Sequence, residues 1–186
     1  MARFLLLALA VIAVLAVALA IRSCGQSSPI ATHSTADMSA VVALPNGTVM
    51  TAPKGSAGRD MVDWLASSDH SERRFELGGK QFEGRSAEPT VESRVRIGRG
   101  IAILKANPGV TVEVIGYTSP SGDPAADLKL SRARAQSIVD ALTEGGISPS
   151  RLTADGRGGA DPIGDNTLPE GRARNERVAM ILRHRR

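Results

Sequence analysis

The 186-residue chain carries a single cysteine, Cys24, and only 3% aromatic residues: three Phe, one Trp and one Tyr. One cysteine excludes an intramolecular disulfide, so no covalent staple supports the fold. Scarce aromatics imply a core built from Val, Ile, Leu and Ala, and leave too few stacking platforms for a nucleic-acid binder. The three histidines, His33, His70 and His184, lie in three separate segments, which suggests neither a metal cluster nor a catalytic base. There is no G-x-S-x-G elbow and no Walker loop; the GRGGAD run from Gly156 lacks both the Walker spacing and its lysine. These absences point away from an enzyme and from any cofactor. The net charge of +4 tolerates anionic neighbours, but the closing RHRR, Arg183–Arg186, reads as a solvated tail.

What the chain does have is one long apolar run. Phe4–Ile21 spans 18 residues without a polar side chain, enough to reach the lower limit for crossing a bilayer. Three fates fit it: a retained transmembrane helix, a signal segment cut after Ala18-Leu19-Ala20, or lipidation at Cys24 within IRSC. Each places the rest of the chain outside the cytoplasm; the localisation expected is a periplasmic domain anchored to a membrane, the inner membrane ahead of an outer-membrane lipoprotein through Cys24. Residues 25–40 are small and polar and read as a flexible tether, with a coil reach of about 20–25 Å. The organisation expected is thus an anchor or signal over 1–24, the tether, a lead-in over 41–74, and a main domain over 75–186.

Within the lead-in, Pro45-Asn46-Gly47 between two apolar runs predicts a hairpin, and a short helix is expected around Met61–Leu65, with Trp64 packing on the main domain. In the main domain FELGGKQFEG offers two strand-like pieces around Gly78-Gly79. A helix follows Pro89, with Val91, Val95, Ile101 and Leu104 at near-helical spacing, ending at Asn107-Pro108-Gly109. Val110, Val112 and Val114 alternate as a strand. Asp123-Pro124 suits the cap and first residue of a second helix, with Leu128, Ala135, Ile138, Val139 and Leu142 as its stripe and Gly145-Gly146 as its stop. A strand near Arg151–Ala154, a loop, a helical turn at EGRARNE and a last strand at RVAMILR complete the order. Two helices on one face of a four-stranded sheet, an α/β two-layer sandwich, accommodate it.

The remaining chemistry is arginine and carboxylate near strand ends. Arg132 and Arg134 sit early in the second helix; Arg172, Arg174 and Arg177 precede the last strand. An arginine fork suits a planar carboxylate, although each of these also fits a solvated helix charge.

The motifs GYT, DLKLSRARAQSIVDAL, GISPSRLTADGRG and DPIGDNTLPEGRARNERV occur in an order and spacing that resemble the OmpA-like, peptidoglycan-associated domain family, as in outer-membrane protein A, Pal and MotB. The family patterns are roughly GHTD, NxxLSxxRAxxVxxxL, GixxxRLxxxGyG and PxxxNxxxxGRxxNRRV. The resemblance covers about Phe75–Leu182. It implies a β-α-β-α-β-β domain with a mixed four-stranded sheet that binds peptidoglycan non-covalently through the diaminopimelate of the stem peptide. Peptidoglycan and the membrane are then the expected partners, with envelope proteins beside them and nucleic acid excluded by export. A degenerate domain serving as a structural element of an envelope complex is the other reading.

Residue by residue, the resemblance puts Arg134 at the arginine that takes the ligand carboxylate and Thr118 beside the ligand. Asp127 stands at the family's helix-start Asn, and Asn175 and Arg177 within its NRRV segment. Glu83 aligns loosely with an acid after the first strand. The sequence departs at two places. Ser119 stands fifteen residues before Arg134, where the family has the aspartate that takes the ligand ammonium, and Glu176 replaces the first arginine of NRRV. Ser119 is thus expected to leave the ammonium side uncharged, with Asp123 or Asp127 as substitutes; Asp123 also fits a plain helix cap.

Overall fold

A computed structural model describes residues 40–78 and 80–185, within a compact unit that runs from Ser39. The expected membrane segment, Cys24, and all but the last residue of the tether lie outside the described residues. Among the described residues no helix is long and apolar enough to cross a membrane.

The chain begins with a hairpin, β1 (Val41–Ala43) and β2 (Val49–Thr51), whose turn uses Gly47 at φ 83°. Helix α1 (Ala57–Ala66) follows, with Ser56 as its cap. Trp64 is 1% exposed and meets Phe75 edge-on at 5.9 Å between ring centroids. That contact welds the lead-in to the core of the main domain, where Leu44 and Met61 are also buried.

The main domain then runs β3 (Arg73–Leu77), α2 (Val91–Ala106), β4 (Val110–Gly116), α3 (Pro124–Glu144), a 3-10 turn (Pro149–Arg151), β5 (Leu152–Gly156), α4 (Pro169–Asn175) and β6 (Val178–His184). The sheet order is β3-β6-β4-β5. β4 and β5 are parallel, as a helical crossover requires, while β6 lies antiparallel between β3 and β4. Val112 and Val114 pair with Leu182 and Met180 and join one hydrophobic core with Ile103, Leu104, Ile138 and Leu142. The mixed four-stranded sheet with its helices agrees with the sequence expectation. The second strand-like piece of FELGGKQFEG does not: past β3 only Phe82 pairs, in a single bridge to Pro89.

Both helices differ from their expected faces. In α2, Val91 and Val95 are 72% and 53% exposed, while Ser93 and Ile97 are buried. The rotation is fixed by polar contacts: Thr90 caps Ser93 N–H, and the Ser93 hydroxyl donates to buried Gln81. In α3, Leu128 faces out, and Asp127, Ser131 and Arg134 face in, continuing toward the C-terminus as Ile138 and Leu142. The i, i+4, i+7 spacing puts all five on one face, so the inward stripe is polar for its first half and apolar for its second. The strand ends beneath that polar half are glycines. A Cβ on Gly116 would stand 2.1 Å from the Ser131 carbonyl oxygen, and one on Gly156 2.4 Å from the Arg132 nitrogen. Helix backbone therefore rests directly on strand backbone where β4 and β5 end.

Gly116→Ala is expected to destabilise the domain by about 3 kcal/mol, the upper range for overpacking against atoms that cannot retreat. Gly98, exposed within α2 and with open space around it, gives the opposite sign: Gly98→Ala adds about 1 kcal/mol. Urea denaturation of the two variants beside the wild type measures both.

Candidate functional site

Strand β4 leads out into Tyr117-Thr118-Ser119, and β6 begins just after Glu176-Arg177, so the two segments meet at one end of the sheet. Backbone bonds hold them there: Tyr117 N–H donates to the Arg177 carbonyl at 2.9 Å, and Thr118 N–H to that of Gly158 at 2.8 Å. Above them stands Arg134 of α3, 1% exposed. Its Nε donates to the Ser86 carbonyl at 2.9 Å and its Nη2 to that of Gly84 at 3.0 Å, and the guanidinium lies 4.9 Å over the Phe82 ring. Its Nη1 donates to Glu176 Oε2. The other oxygen of Glu176 accepts from the Ser119 backbone N–H at 3.1 Å and the Ser119 hydroxyl at 2.8 Å. Burial works against ionisation of Glu176, but Arg134 and Ser119 outweigh it and hold its carboxyl below the ordinary glutamate range.

Arg177 completes the cluster. It is 5% exposed, lies 3.8 Å over the Tyr117 ring, and donates from Nη2 to the Asp161 carbonyl at 2.8 Å. Its Nε is 3.4 Å from Glu76 without a hydrogen bond, and its Nε and Nη1 have no hydrogen-bond partner. The Thr118 hydroxyl is likewise buried and unpartnered. Arg134, Glu176 and Arg177 border one cavity of about 610 Å³, together with Glu76, Lys80 and Arg174. Four cations face two carboxylates there, so the cavity favours a ligand that brings negative charge. Among the described residues no group of three His, Cys, Asp or Glu is placed to hold a metal ion.

The family model for the OmpA family matches residues 74–176, more than half of the chain. The chain belongs to the OmpA family. Within it, the probable lipoprotein YiaD of Escherichia coli is 42% identical over 84 residues, which cover 45% of this chain and 38% of that protein. The peptidoglycan-binding protein ArfA of Mycobacterium tuberculosis is 37% identical over 79 residues, 42% of this chain and 24% of ArfA. The match thus spans about a quarter to two fifths of these curated relatives. Among solved structures, the cell wall anchor of the T6SS from Pseudomonas aeruginosa superposes with a TM-score of 0.56 at 26% identity, over 71% of this chain and 99% of that one. The periplasmic domain of Helicobacter pylori MotB shares the fold, with a TM-score of 0.55 at 22% identity over 63% of this chain and 80% of that one.

Set beside the OmpA-family pattern, the expected residues separate into two groups. Thr118, Ser119, Arg134 and Arg177 converge on one corner. Asp127, Asn175, Asp123 and Glu83 are engaged elsewhere. Asp127 is buried and accepts from Ser121 N–H at 2.8 Å and Arg85 at 2.9 Å, tying the loop after β4 to the loop that carries Gly84 and Ser86. Burial opposes its charge, yet Ser121 and Arg85 keep its carboxyl below the usual aspartate range. Asn175 bonds Ile163 N–H, Gly164 N–H, the Gly164 carbonyl and Asn166, and so shapes the loop before α4. Asp123 is exposed and caps α3 through Ala125 and Ala126 N–H. Glu83 pairs with Lys80 at 3.2 Å, and both are solvent-exposed.

At the position where the family has an aspartate, Ser119 donates to the carboxylate of Glu176, fifty-seven residues later in the chain. Glu176 was visible in the sequence only as a departure, and nothing there tied it to the departure at Ser119. Gln81, Phe82 and Arg174 also line the cavity, and no motif marked them.

The Glu176 carboxyl lies below its unfolded value of about 4.5, so its stabilisation is complete above that pH and disappears as pH falls through the folded-state value. Glu176→Gln is therefore expected to lower stability by about 1 kcal/mol at pH 7, and the difference from wild type should shrink toward pH 3. Denaturation from pH 7 to 3 checks this; a difference that stays constant throughout contradicts the ion pair.

Proposed function

We propose that this chain is a non-catalytic, membrane-tethered envelope protein whose domain binds peptidoglycan non-covalently through the diaminopimelate end of the stem peptide. The observation that carries the reading is the cavity at the sheet end, where a held carboxylate and a guanidinium with free N–H groups border one opening. Such a pair is complementary to a group bearing both an ammonium and a carboxylate, which is what the free end of diaminopimelate presents. Membership of the OmpA family and similarity to a protein named for peptidoglycan binding and to a cell wall anchor support peptidoglycan as the partner. Phe4–Ile21 then serves as the membrane segment and residues 25–40 as the tether, with the lead-in over 41–74 and the OmpA-like domain over 75–186 on the periplasmic side.

A second reading draws on one specific observation: Arg134 already meets a carboxylate from its own chain. A site satisfied internally suits a domain that has exchanged wall binding for a structural role in an envelope complex.

Cosedimentation with purified peptidoglycan separates the two. Wild type is expected to pellet with the wall and to be released by a soluble diaminopimelate-containing muropeptide. Arg134→Ala, verified as folded by circular dichroism, is expected to lose at least nine tenths of the pelleted fraction. Wild type that stays in the supernatant favours the structural role, and full retention of Arg134→Ala contradicts the assignment of the pocket.

A further inference from the structure

Arg134, Glu176 and Arg177 differ in what they still have to offer at the cavity. Arg134 is largely committed: three of its five N–H groups, one on each nitrogen, donate to acceptors of the chain. A ligand carboxylate taking the place of Glu176 on Nη1 would strand that charge. Glu176 is different. Its side chain is 25% exposed, and its carboxylate receives three donors, from Arg134 and twice from Ser119. Two carboxylate oxygens offer about four lone-pair directions, so one is left for a further donor. Arg177 is the reverse case: nine-tenths buried and stacked on Tyr117, it donates only from Nη2. Its Nε faces Glu76 at 3.4 Å as an ion pair without a hydrogen bond, and its Nη1 bonds nothing. A buried guanidinium with unmade bonds is costly unless a ligand completes them.

We infer that Glu176 receives the ammonium of the ligand and Arg177 its carboxylate, while Arg134 and Ser119 act as positioning residues that hold Glu176. The acid of the family pattern has moved from position 119 to position 176, and the guanidinium that reads the ligand has moved with it, from Arg134 to its neighbour in the chain. Both groups now lie on the short link between α4 and β6. This inference rests on the wall-binding reading above and assigns the roles within it. It also gives the site a selectivity. A stem peptide with diaminopimelate carries the carboxylate that Arg177 takes; one with lysine at the same place has the ammonium alone.

The test uses the full-length protein and two soluble muropeptides, identical except for diaminopimelate or lysine, with affinities from isothermal titration. Wild type is expected to bind the diaminopimelate form at least tenfold more tightly than the lysine form. Glu176→Gln, which keeps the shape, should weaken both by about tenfold or more. Ser119→Asp/Glu176→Gln returns an acid to the corner and should recover to within about threefold of wild type. Ser119→Asp alone crowds a second carboxylate against Glu176 and should bind no more tightly than wild type. Arg177→Gln should bind the two muropeptides alike, with thermal melts to establish that it is folded and Arg177→Lys as a second variant that retains partial preference. Unchanged affinity in Glu176→Gln, or undiminished preference in both Arg177 variants, overturns these roles while leaving wall binding in place. Failure of wild type to bind either muropeptide or the wall overturns the underlying reading as well.

Discussion

The ion pair between Arg134 and Glu176 organises this end of the molecule. A guanidinium at 1% exposure cannot remain unpartnered, and the cost of burying it is met from three directions at once. Gly84 and Ser86 supply carbonyls from the loop after β3, and Glu176 supplies a carboxylate from the end of α4. Two segments distant in sequence are thereby drawn around one side chain of α3. Ser119 adds a third, because its hydroxyl and backbone N–H close on the same carboxylate. The strength of the pair is below that of a fully enclosed one, where loss of a partner costs about 3–5 kcal/mol, since Glu176 keeps part of its side chain in water. That residual exposure is also what the proposed ligand role of Glu176 requires.

The fold makes the arrangement possible through a local rule of packing. Gly116 and Gly156 let the first turns of α3 lie directly on the ends of β4 and β5, so residues 127, 131 and 134 face inward over the strand ends. Ser131 is used there structurally, its hydroxyl accepting from Gly158 N–H at 2.9 Å. Asp127 and Asn175 fix the surrounding loops in the same manner. Both are buried and spend their bonding capacity on loop backbone and on a neighbouring side chain, Arg85 for Asp127 and Asn166 for Asn175, as scaffold residues do.

Element order, the parallel β4–β5 pair implied by its crossover and the extent of α3 were legible in the sequence, because strand alternation, Asp123-Pro124 and Gly145-Gly146 are local signals. The faces of α2 and the first half of α3 were not. Counting apolar residues placed Val91, Val95 and Leu128 inside, whereas buried Ser93, Asp127 and Arg134 set the rotation through hydrogen bonds to distant segments. The meeting of Thr118, Ser119, Arg134 and Arg177 at one corner was legible through family spacing. The exchange between positions 119 and 176 was not, since only the folded chain brings a serine after β4 against a glutamate before β6.

The division of labour between the two arginines is most directly tested by nuclear magnetic resonance of their side-chain Nε–H groups during titration with a diaminopimelate muropeptide. If Glu176 and Arg177 hold the ligand, the Arg177 resonance and the Ser119 amide shift in a saturable way while the Arg134 resonance stays in place. A large shift at Arg134 with Arg177 unmoved would mean that the ligand displaces Glu176, and would contradict the relocated site.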